Sequence, residues 1–454
     1  MSKFVRADGR VIHPQTHLTK EQKQVIGLLS IGTFLEFFDF MLYVHMAVLL
    51  NEIFFETTDS HTSYLITSFA FCTTFVFRPV GALIFGWLGD NIGRKPTVII
   101  TTFMMAASCL VMANLPTYAQ IGITASWIVT ICRIIQGISS MGEVTGAELY
   151  ITETINPPAQ YASVELIVAF SALGGMAALG IATLVTSYGF NWRIAFWIGA
   201  IVALIGSIAR TTLRETPEFA DAKRRIKTIF ARTNTDTNTL DKNPIWKEKV
   251  SKKTFIALFL LQCALPVSFY FIYVHCGAIL RTNFGYTASE VIHHNFIVSI
   301  IQFLGLLIST YISYKVYPLL ILKIKLVIFS IFVLFYPYLL TNLHSPFELL
   351  LIQSFVVLFW HDIGPAIPIF FSNFPVFKRF TSVSFIYALS RAMVYGISAF
   401  GFTYLIGYFG NWGLLIIMIP INIGFTFGLL HFEKLEKKRE NYFQLKIDLA
   451  TKAG

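Results

Sequence analysis

Twelve long apolar runs begin near residues 26, 64, 97, 120, 161, 192, 254, 291, 317, 347, 382 and 411. Each holds about 17–28 residues, enough to cross a hydrocarbon layer of about 30 Å at about 1.5 Å per residue. Inside lipid every backbone N–H and C=O must be satisfied within the protein, so runs of this length are helices. The expectation is an all-α membrane protein with twelve transmembrane helices. Composition agrees, with 55% of residues hydrophobic and only 13% charged, where soluble domains carry about a quarter charged. The 44 Phe residues spread through every run and suit lipid-facing and inter-helix packing.

The same composition excludes several function classes. A net charge of +10 would suit a nucleic-acid binder only on a folded polar domain, and no stretch between the runs is large enough for one. There is no P-loop, no HExxH and no polar catalytic domain, so an enzyme is not expected. Cys72, Cys109, Cys132, Cys263 and Cys276 all lie within apolar runs at no metal-ligand spacing. They read as small buried hydrophobes, with no disulfide framework, no metal and no cofactor. The first two dozen residues are polar and basic without an apolar h-region, so no cleavable signal is expected and the first helix acts as its own insertion signal.

Charge placement sets orientation. All but five of the 35 Lys and Arg residues fall before the first helix, at Arg94-Lys95, in 210–253, at Lys315, Lys323 and Lys325, at Lys378-Arg379, or after residue 432. An even helix count places these stretches on one side, and the positive-inside rule makes that side cytoplasmic, with both termini on it. The first opposite connection, 51–63, carries Glu52, Glu56 and Asp59 but no Lys or Arg. The chain therefore divides into a cytoplasmic tail (1–23), a first six-helix bundle (24–212), a cytoplasmic linker (213–253), a second bundle (254–432) and a C-terminal tail (433–454). In the linker, Thr216-Pro217-Glu218 reads as a helix start, and Phe219, Ala222, Ile226 and Ile229 share one face. That pattern predicts an interfacial helix on an anionic leaflet, followed by a solvated 231–243.

The first run carries Glu36 and Asp39 near its middle, with Tyr43 on the same face. A carboxylate at the centre of a membrane helix costs about 2.5–3.5 kcal/mol on insertion scales, so this face turns inward toward cations or water. Two readings stand for it: an ion pair that fixes helix packing, or a substrate and proton site.

Gly86-Trp87-Leu88-Gly89-Asp90-Asn91-Ile92-Gly93-Arg94-Lys95 joins the second and third runs. It resembles the GxxxD-(R/K)-x-G-R-(R/K) loop of the major facilitator superfamily, with Asn91 where a cation is usual. Phe34-Leu35-Glu36-Phe37-Phe38-Asp39-Phe40 is similar to the LEWFDF segment of the metabolite:proton symporter branch, and Arg133-Ile134-Ile135-Gln136-Gly137 through Gly142-Glu143 to its RLLQG…GGE segment. Asn191-Trp192-Arg193-Ile194-Ala195-Phe196 with Arg214-Glu215-Thr216-Pro217-Glu218-Phe219 resembles its WRIPF…EETPEF pair. Gly364-Pro365, Phe374-Pro375 and Arg379 with Tyr387 resemble GPLP…FP…R…Y. The likeness spans about residues 25–430 and is denser in the first half.

This resemblance implies two six-helix bundles around a midplane cavity, in a bacterial inner membrane. It implies gating by Gly86, Asp90, Gly93, Arg94 and Lys95. The implied cavity draws on Glu36, Asp39, Tyr43, Arg78, Arg133, Gln136, Tyr270, His275, Asp362 and Arg391, with Tyr273, His361 and Trp360 beside them and Pro266 bending the seventh helix. Members of the branch carry proline, glycine betaine, 2-oxoglutarate, citrate or shikimate with a proton. The expected partners are thus a small-molecule substrate, protons and the lipid bilayer; a monomer suffices, and oligomeric state stays open.

Mixed acids and arginines favour a zwitterion such as proline or betaine, with a small organic acid as the alternative. A uniporter, an exchanger and a non-transporting sensor also remain. Alternatives stand at single residues too: Arg133 as partner of Asp90 or Glu143, and His361-Asp362 with Arg391 as a structural pair. Glu143, Glu148 and Glu153 read as gate or solvated residues, and His293-His294 as surface. The second-half copy of the gating loop is missing: Tyr311-Ile312-Ser313-Tyr314-Lys315-Val316-Tyr317-Pro318 has no acid and no Gly-Arg pair. The fifth run lacks the Gly-Pro signature of drug antiporters. The C-terminal tail is too short and too charged for a convincing coiled coil.

Overall fold

The computed structural model describes residues 4–5, 11–12, 14–55, 75–188, 190–211 and 249–452. Within these, the first half contains α1 (Lys20–Phe54), α2 (Arg78–Asn91), α3 (Arg94–Asn114), α4 (Ile123–Thr154), α5 (Ala159–Tyr188) and α6 (Arg193–Arg210). The second contains α7 (Lys252–Phe284), α8 (Ala288–Lys315), α9 (Pro318–Thr341), α10 (Pro346–Phe359), α11 (Val376–Phe409) and α12 (Leu415–Lys452). Among the described residues, eight segments are long and apolar enough to cross a membrane, one of them holding both α11 and α12. A two-residue pairing of β1 (Phe4–Val5) with β2 (Val11–Ile12) precedes them. The expected linker helix at 216–229, its tail at 231–243 and most of the 51–63 connection lie outside the described residues.

Local chemistry explains the boundaries. Pro318 and Pro346 open α9 and α10, where a missing N–H costs nothing. Thr287 and Glu290 close a capping box at α8, and Ser345 accepts the Glu348 amide at α10. The turn between α2 and α3 passes through Gly93 at φ 146°, a conformation that side-chain-bearing residues rarely adopt.

Two helices are interrupted near mid-length. In α7 the α pattern breaks at Cys263, resumes over Ala264–Phe269, and widens to a π-turn over Tyr270–His275. Pro266 sits in that stretch and withholds its N–H, so the expected distortion appears as a change of winding, with the chain continuing. After α10, Trp360–Ile363 leave the helix, Gly364–Ala366 form one 3₁₀ turn, and Ile367–Phe371 resume it. Pro365 and Pro368 account for the broken ladder.

In the first half, α1 lies along α5, α3 packs on α4 and α6, and α2 rests on α4. In the second, α7 packs on α11 and α12, α9 on α12, and α8 on α10. Two seams join the halves: α5 against α8, and α2 against α11. The polarity is that of a lipid-embedded body. Trp87, Phe103, Trp127, Phe335, Phe400 and Phe427 are exposed, while Glu36, Asp39, Arg78, Arg94, Arg133, Glu148, Glu165, Asp362 and Arg391 are each at most 4% exposed.

Candidate functional site

Three polar assemblies lie between the helices. The first is the α2–α3 turn. Glycines at 86 and 89 bring α2 onto α11: a Cβ on Gly86 would stand 2.6 Å from Cα of Thr381, and one on Gly89 would stand 1.8 Å from the Phe380 ring. That closeness lets Asp90 accept from the amides of Phe380 (3.1 Å) and Thr381 (2.8 Å) and from the Thr381 hydroxyl (2.7 Å). Arg94 donates to the Val376 carbonyl at 3.0 Å. Val376 C=O and Phe380 N–H are the two groups an ideal α-helical bond would join, so the turn engages the backbone of α11 itself. Arg94 also pairs with Asp90 and Glu153, each at 3.2 Å, and Arg379 reaches Glu153 at 3.1 Å. Glu153 at the end of α4 thus ties both halves together. Of the sequence-stated gate residues, Gly86, Asp90 and Arg94 act in this contact, and Gly93 shapes the turn; Lys95 begins α3 beside them.

The second assembly is a pair of ion pairs inside the first half. Glu36 meets Arg78 at 2.9 Å, and the Arg78 guanidinium lies 4.8 Å from the Phe75 ring centre. Asp39 meets Arg133 at 2.9 Å and accepts from Gln136 Nε2 at 2.9 Å, while Arg133 also donates to Gln136 Oε1 at 2.8 Å. Arg133 therefore takes Asp39 as its partner in place of the Asp90 or Glu143 considered from sequence. The i, i+3 spacing puts Glu36 and Asp39 on one face, yet each is answered by a different helix: α2 for one, α4 for the other. Tyr43 lies on α1, with its side chain outside the described residues.

The third assembly is a cavity between the halves, with about 70 Å³ open to water-molecule centres. On that measure a single water needs about 10–15 Å³, so several fit. Its polar lining comes from Glu148 of α4, Gln262 and Tyr273 of α7, Gln302 of α8, Asp362 after α10, and Tyr387 and Arg391 of α11. Phe269 and Trp360 add aromatic wall. Arg391 donates to Gln262 Oε1 at 2.7 Å and stacks 3.4 Å over the Tyr387 ring. It also donates to the Ser390 hydroxyl at 3.2 Å; both partners are neutral, and among the described residues the alternative of a structural pair with Asp362 is not formed. Glu148 Oε2, Asp362 Oδ2 and the Trp360 indole nitrogen are buried without a protein hydrogen-bond partner. Buried polar atoms of that kind are rare unless water or a ligand satisfies them.

Of the nine predicted cavity residues whose side chains are described, Asp362 and Arg391 line this space. Glu36, Asp39, Arg78, Arg133 and Gln136 stand behind its wall. Tyr270 packs edge-on to Phe402, and His275 sits between Phe271 and Phe402 on the π-turn. His361 packs against Phe329 and Phe425. Glu148 is a buried cavity residue and Glu153 a buried latch residue, so neither is solvated. His294 is buried against Gln353 at 2.7 Å, contrary to its surface reading. Sequence reasoning missed Gln262, Gln302 and Glu165; the acid in the fifth apolar run carries the same signal that singled out Glu36.

A family model described as Major Facilitator Superfamily matches residues 29–364. The chain is 29% identical over 298 residues to the proline/betaine transporter of Salmonella typhimurium, and 35% identical over 232 residues to a putative metabolite transport protein of Haemophilus influenzae. These alignments cover 63% and 48% of this chain but 57% and 51% of the relatives, so the chain spans about half the length of the curated relatives it matches. The solved proton:xylose symporter XylE bound to 6-bromo-6-deoxy-D-glucose superposes with a TM-score of 0.69 at 15% identity, over 91% of this chain and 95% of that one. The human organic anion transporter MFSD10 gives 0.63 at 14% identity, over 91% and 99%. At such identities the likeness concerns the fold alone.

Proposed function

The chain belongs to the major facilitator superfamily, and from that premise we propose that it is a proton-coupled carrier of a small zwitterion, of the proline or glycine betaine class. The observation that carries the reading is the placement of Arg391. A buried guanidinium on the cavity wall, bonded to the neutral Gln262, can trade that bond for a bidentate pair with a substrate carboxylate. Across the same space, Glu148, Trp360, Phe269 and Tyr273 offer a carboxylate and aromatic faces to an ammonium. The likeness to the proline/betaine transporter of Salmonella typhimurium supports the same class.

In this reading the twelve helices span a bacterial inner membrane, the halves 24–212 and 254–432 rock about the cavity, and the α2–α3 turn and both termini face the cytoplasm. The buried pairs Asp39–Arg133 and Glu36–Arg78 serve coupling. A carboxyl whose arginine moves away gains affinity for a proton and loses it when the pair re-forms. One proton moving down 100 mV supplies about 2.3 kcal/mol, enough to hold a zwitterion at a gradient of roughly 50-fold.

Uptake into proteoliposomes under an imposed pH gradient tests this, with labelled proline, betaine and 2-oxoglutarate offered in competition. Gradient-driven accumulation of a zwitterion is expected. Removing a buried charged partner of a ligand costs about 2–5 kcal/mol, so Arg391→Gln should raise the half-saturating concentration about 30-fold or more. Flux indifferent to the gradient would make the chain a uniporter or exchanger, and no flux for any solute would make it a sensor. Arg391, the one lining cation among the described residues, also favours a second reading, symport of a small organic acid, which competition by 2-oxoglutarate alone would select.

A further inference from the structure

Glu165 of α5 is fully buried, and neither of its carboxyl oxygens has a hydrogen-bond partner that meets ordinary geometry. It points across the seam between the halves, at the broken end of α10. A Cβ added to Gly364 would stand 2.0 Å from Glu165 Oε2 and 3.3 Å from Asp362 Oδ1, so both carboxyls crowd one glycine. Asp362 Oδ1 accepts from the Gly364 amide at 3.0 Å, while its Oδ2 is buried and unpartnered. The carboxyl of one half thus rests against the carboxyl of the other, with the Ser309 hydroxyl of α8 beside them.

The groups around the pair do not neutralise it. Lys325 of α9 acts on Glu165 and on His361 but forms no ion pair with either acid among the described residues. His361 turns its ring onto Phe329 and Phe425. Glu148 of α4 adds a further carboxyl, and the Arg391 guanidinium is held by Gln262 and Ser390. On α1, packed along α5, Glu36 and Asp39 are taken by Arg78 and Arg133. Two ionised carboxylates in contact inside a low-dielectric interior repel by several kcal/mol, while one proton shared between them converts repulsion into a charge-assisted hydrogen bond.

We propose that Glu165 and Asp362 form one proton-binding site across the seam between the halves, distinct from the Asp39–Arg133 pair. The proton binds as COO⁻ plus H⁺ giving COOH, hydrogen-bonded to the facing carboxylate. In that form it clamps α5 to the end of α10 in the state where the α2–α3 turn grips α11. Loss of the proton to cavity water leaves two carboxylates that push the halves apart. The device deepens the carrier reading and rests on it for its physiological use. Gly364 is then required as glycine, because any side chain there would displace the Glu165 carboxyl.

Infrared difference spectroscopy of the purified full chain tests the pair without needing a substrate. Wild-type protein should show a carboxylic acid C=O band, shifted in D₂O and lowered in frequency by the hydrogen bond to the facing carboxylate, and that lowered band should disappear in both Glu165→Gln and Asp362→Asn. Persistence of the lowered band at an unchanged frequency in either substitution overturns the shared site, since a Glu165 that shared nothing with Asp362 would absorb at the same frequency beside Asn. The second measurement uses spin labels at exposed Ile92 and Leu320 on an otherwise unaltered chain, free of the folding risk of the core variants. The labels should separate over the same pH range in which the band vanishes. Separation without loss of the band, or loss without separation, overturns the clamp. Failure of zwitterion uptake leaves both readouts standing, so the two readings fail separately.

Discussion

The turn between α2 and α3 and the turn between α8 and α9 occupy corresponding positions in the two halves, yet they hold the opposite half by different chemistry. The first uses buried charge. Arg94 is fully buried among Asp90, Glu153 and the Val376 carbonyl, and the glycines at 86 and 89 bring it there. The second uses tyrosines. Tyr317 packs edge-on to Tyr161 of α5 at 6.3 Å and donates to Glu436 at 3.3 Å, while Tyr314 donates to the Thr16 carbonyl at 2.8 Å. Glu436 is further held by Arg439, which reaches Asn373 at 2.7 Å. The acid and the Gly-Arg pair absent from the second turn are therefore absent because a ring contact and the extended α12 take over there. A buried ion network is made or broken as a unit, whereas aromatic contacts shift by degrees. The two seams accordingly differ in cooperativity.

Three substitutions break or sharpen this contrast. Arg94→Ala should have the largest effect, because it leaves buried Asp90 without its cation and Glu153 with Arg379 alone, and breaking a buried pair costs about 3–5 kcal/mol. Thermal unfolding of the purified chain should show a marked loss, and labels across α2 and α11 should report separation. Gly89→Ala comes next: a methyl 1.8 Å from the Phe380 ring forces the helices apart at about 1–3 kcal/mol. A cysteine pair across α2 and α11 should then cross-link more slowly. Tyr317→Phe should be smallest, under about 1 kcal/mol, since it removes one exposed, long hydrogen bond and keeps the ring. If Tyr317→Phe matched Arg94→Ala in melting temperature, the charge-against-aromatic distinction between the seams would be wrong.

Much of the α2–α3 contact was readable from spacing alone. The spacing of Gly86, Asp90, Gly93 and Arg94 between two apolar runs marks a tight turn with one acid and one cation, and the structure joins Asp90 to both a helix backbone and an arginine. The cavity was less readable. Glu36 and Asp39 announce themselves as intramembrane acids, but spacing along α1 cannot say which arginine answers each one, and both turn out to be answered within the first half. Glu165 and Asp362 lie almost two hundred positions apart in the chain; only the packing of α5 against the broken α10 brings them to one glycine.

What the sequence by itself determined is the solvent and the secondary structure. Apolar runs of this length must be helices, because lipid offers backbone groups no partners, and intramembrane charges must face inward for the same reason. What only the tertiary structure decided is the pairing of those inward charges. Desolvation forces each buried charge to find a partner, but which partner is within about 3 Å depends on how helices from distant parts of the chain cross, and local periodicity does not contain that information.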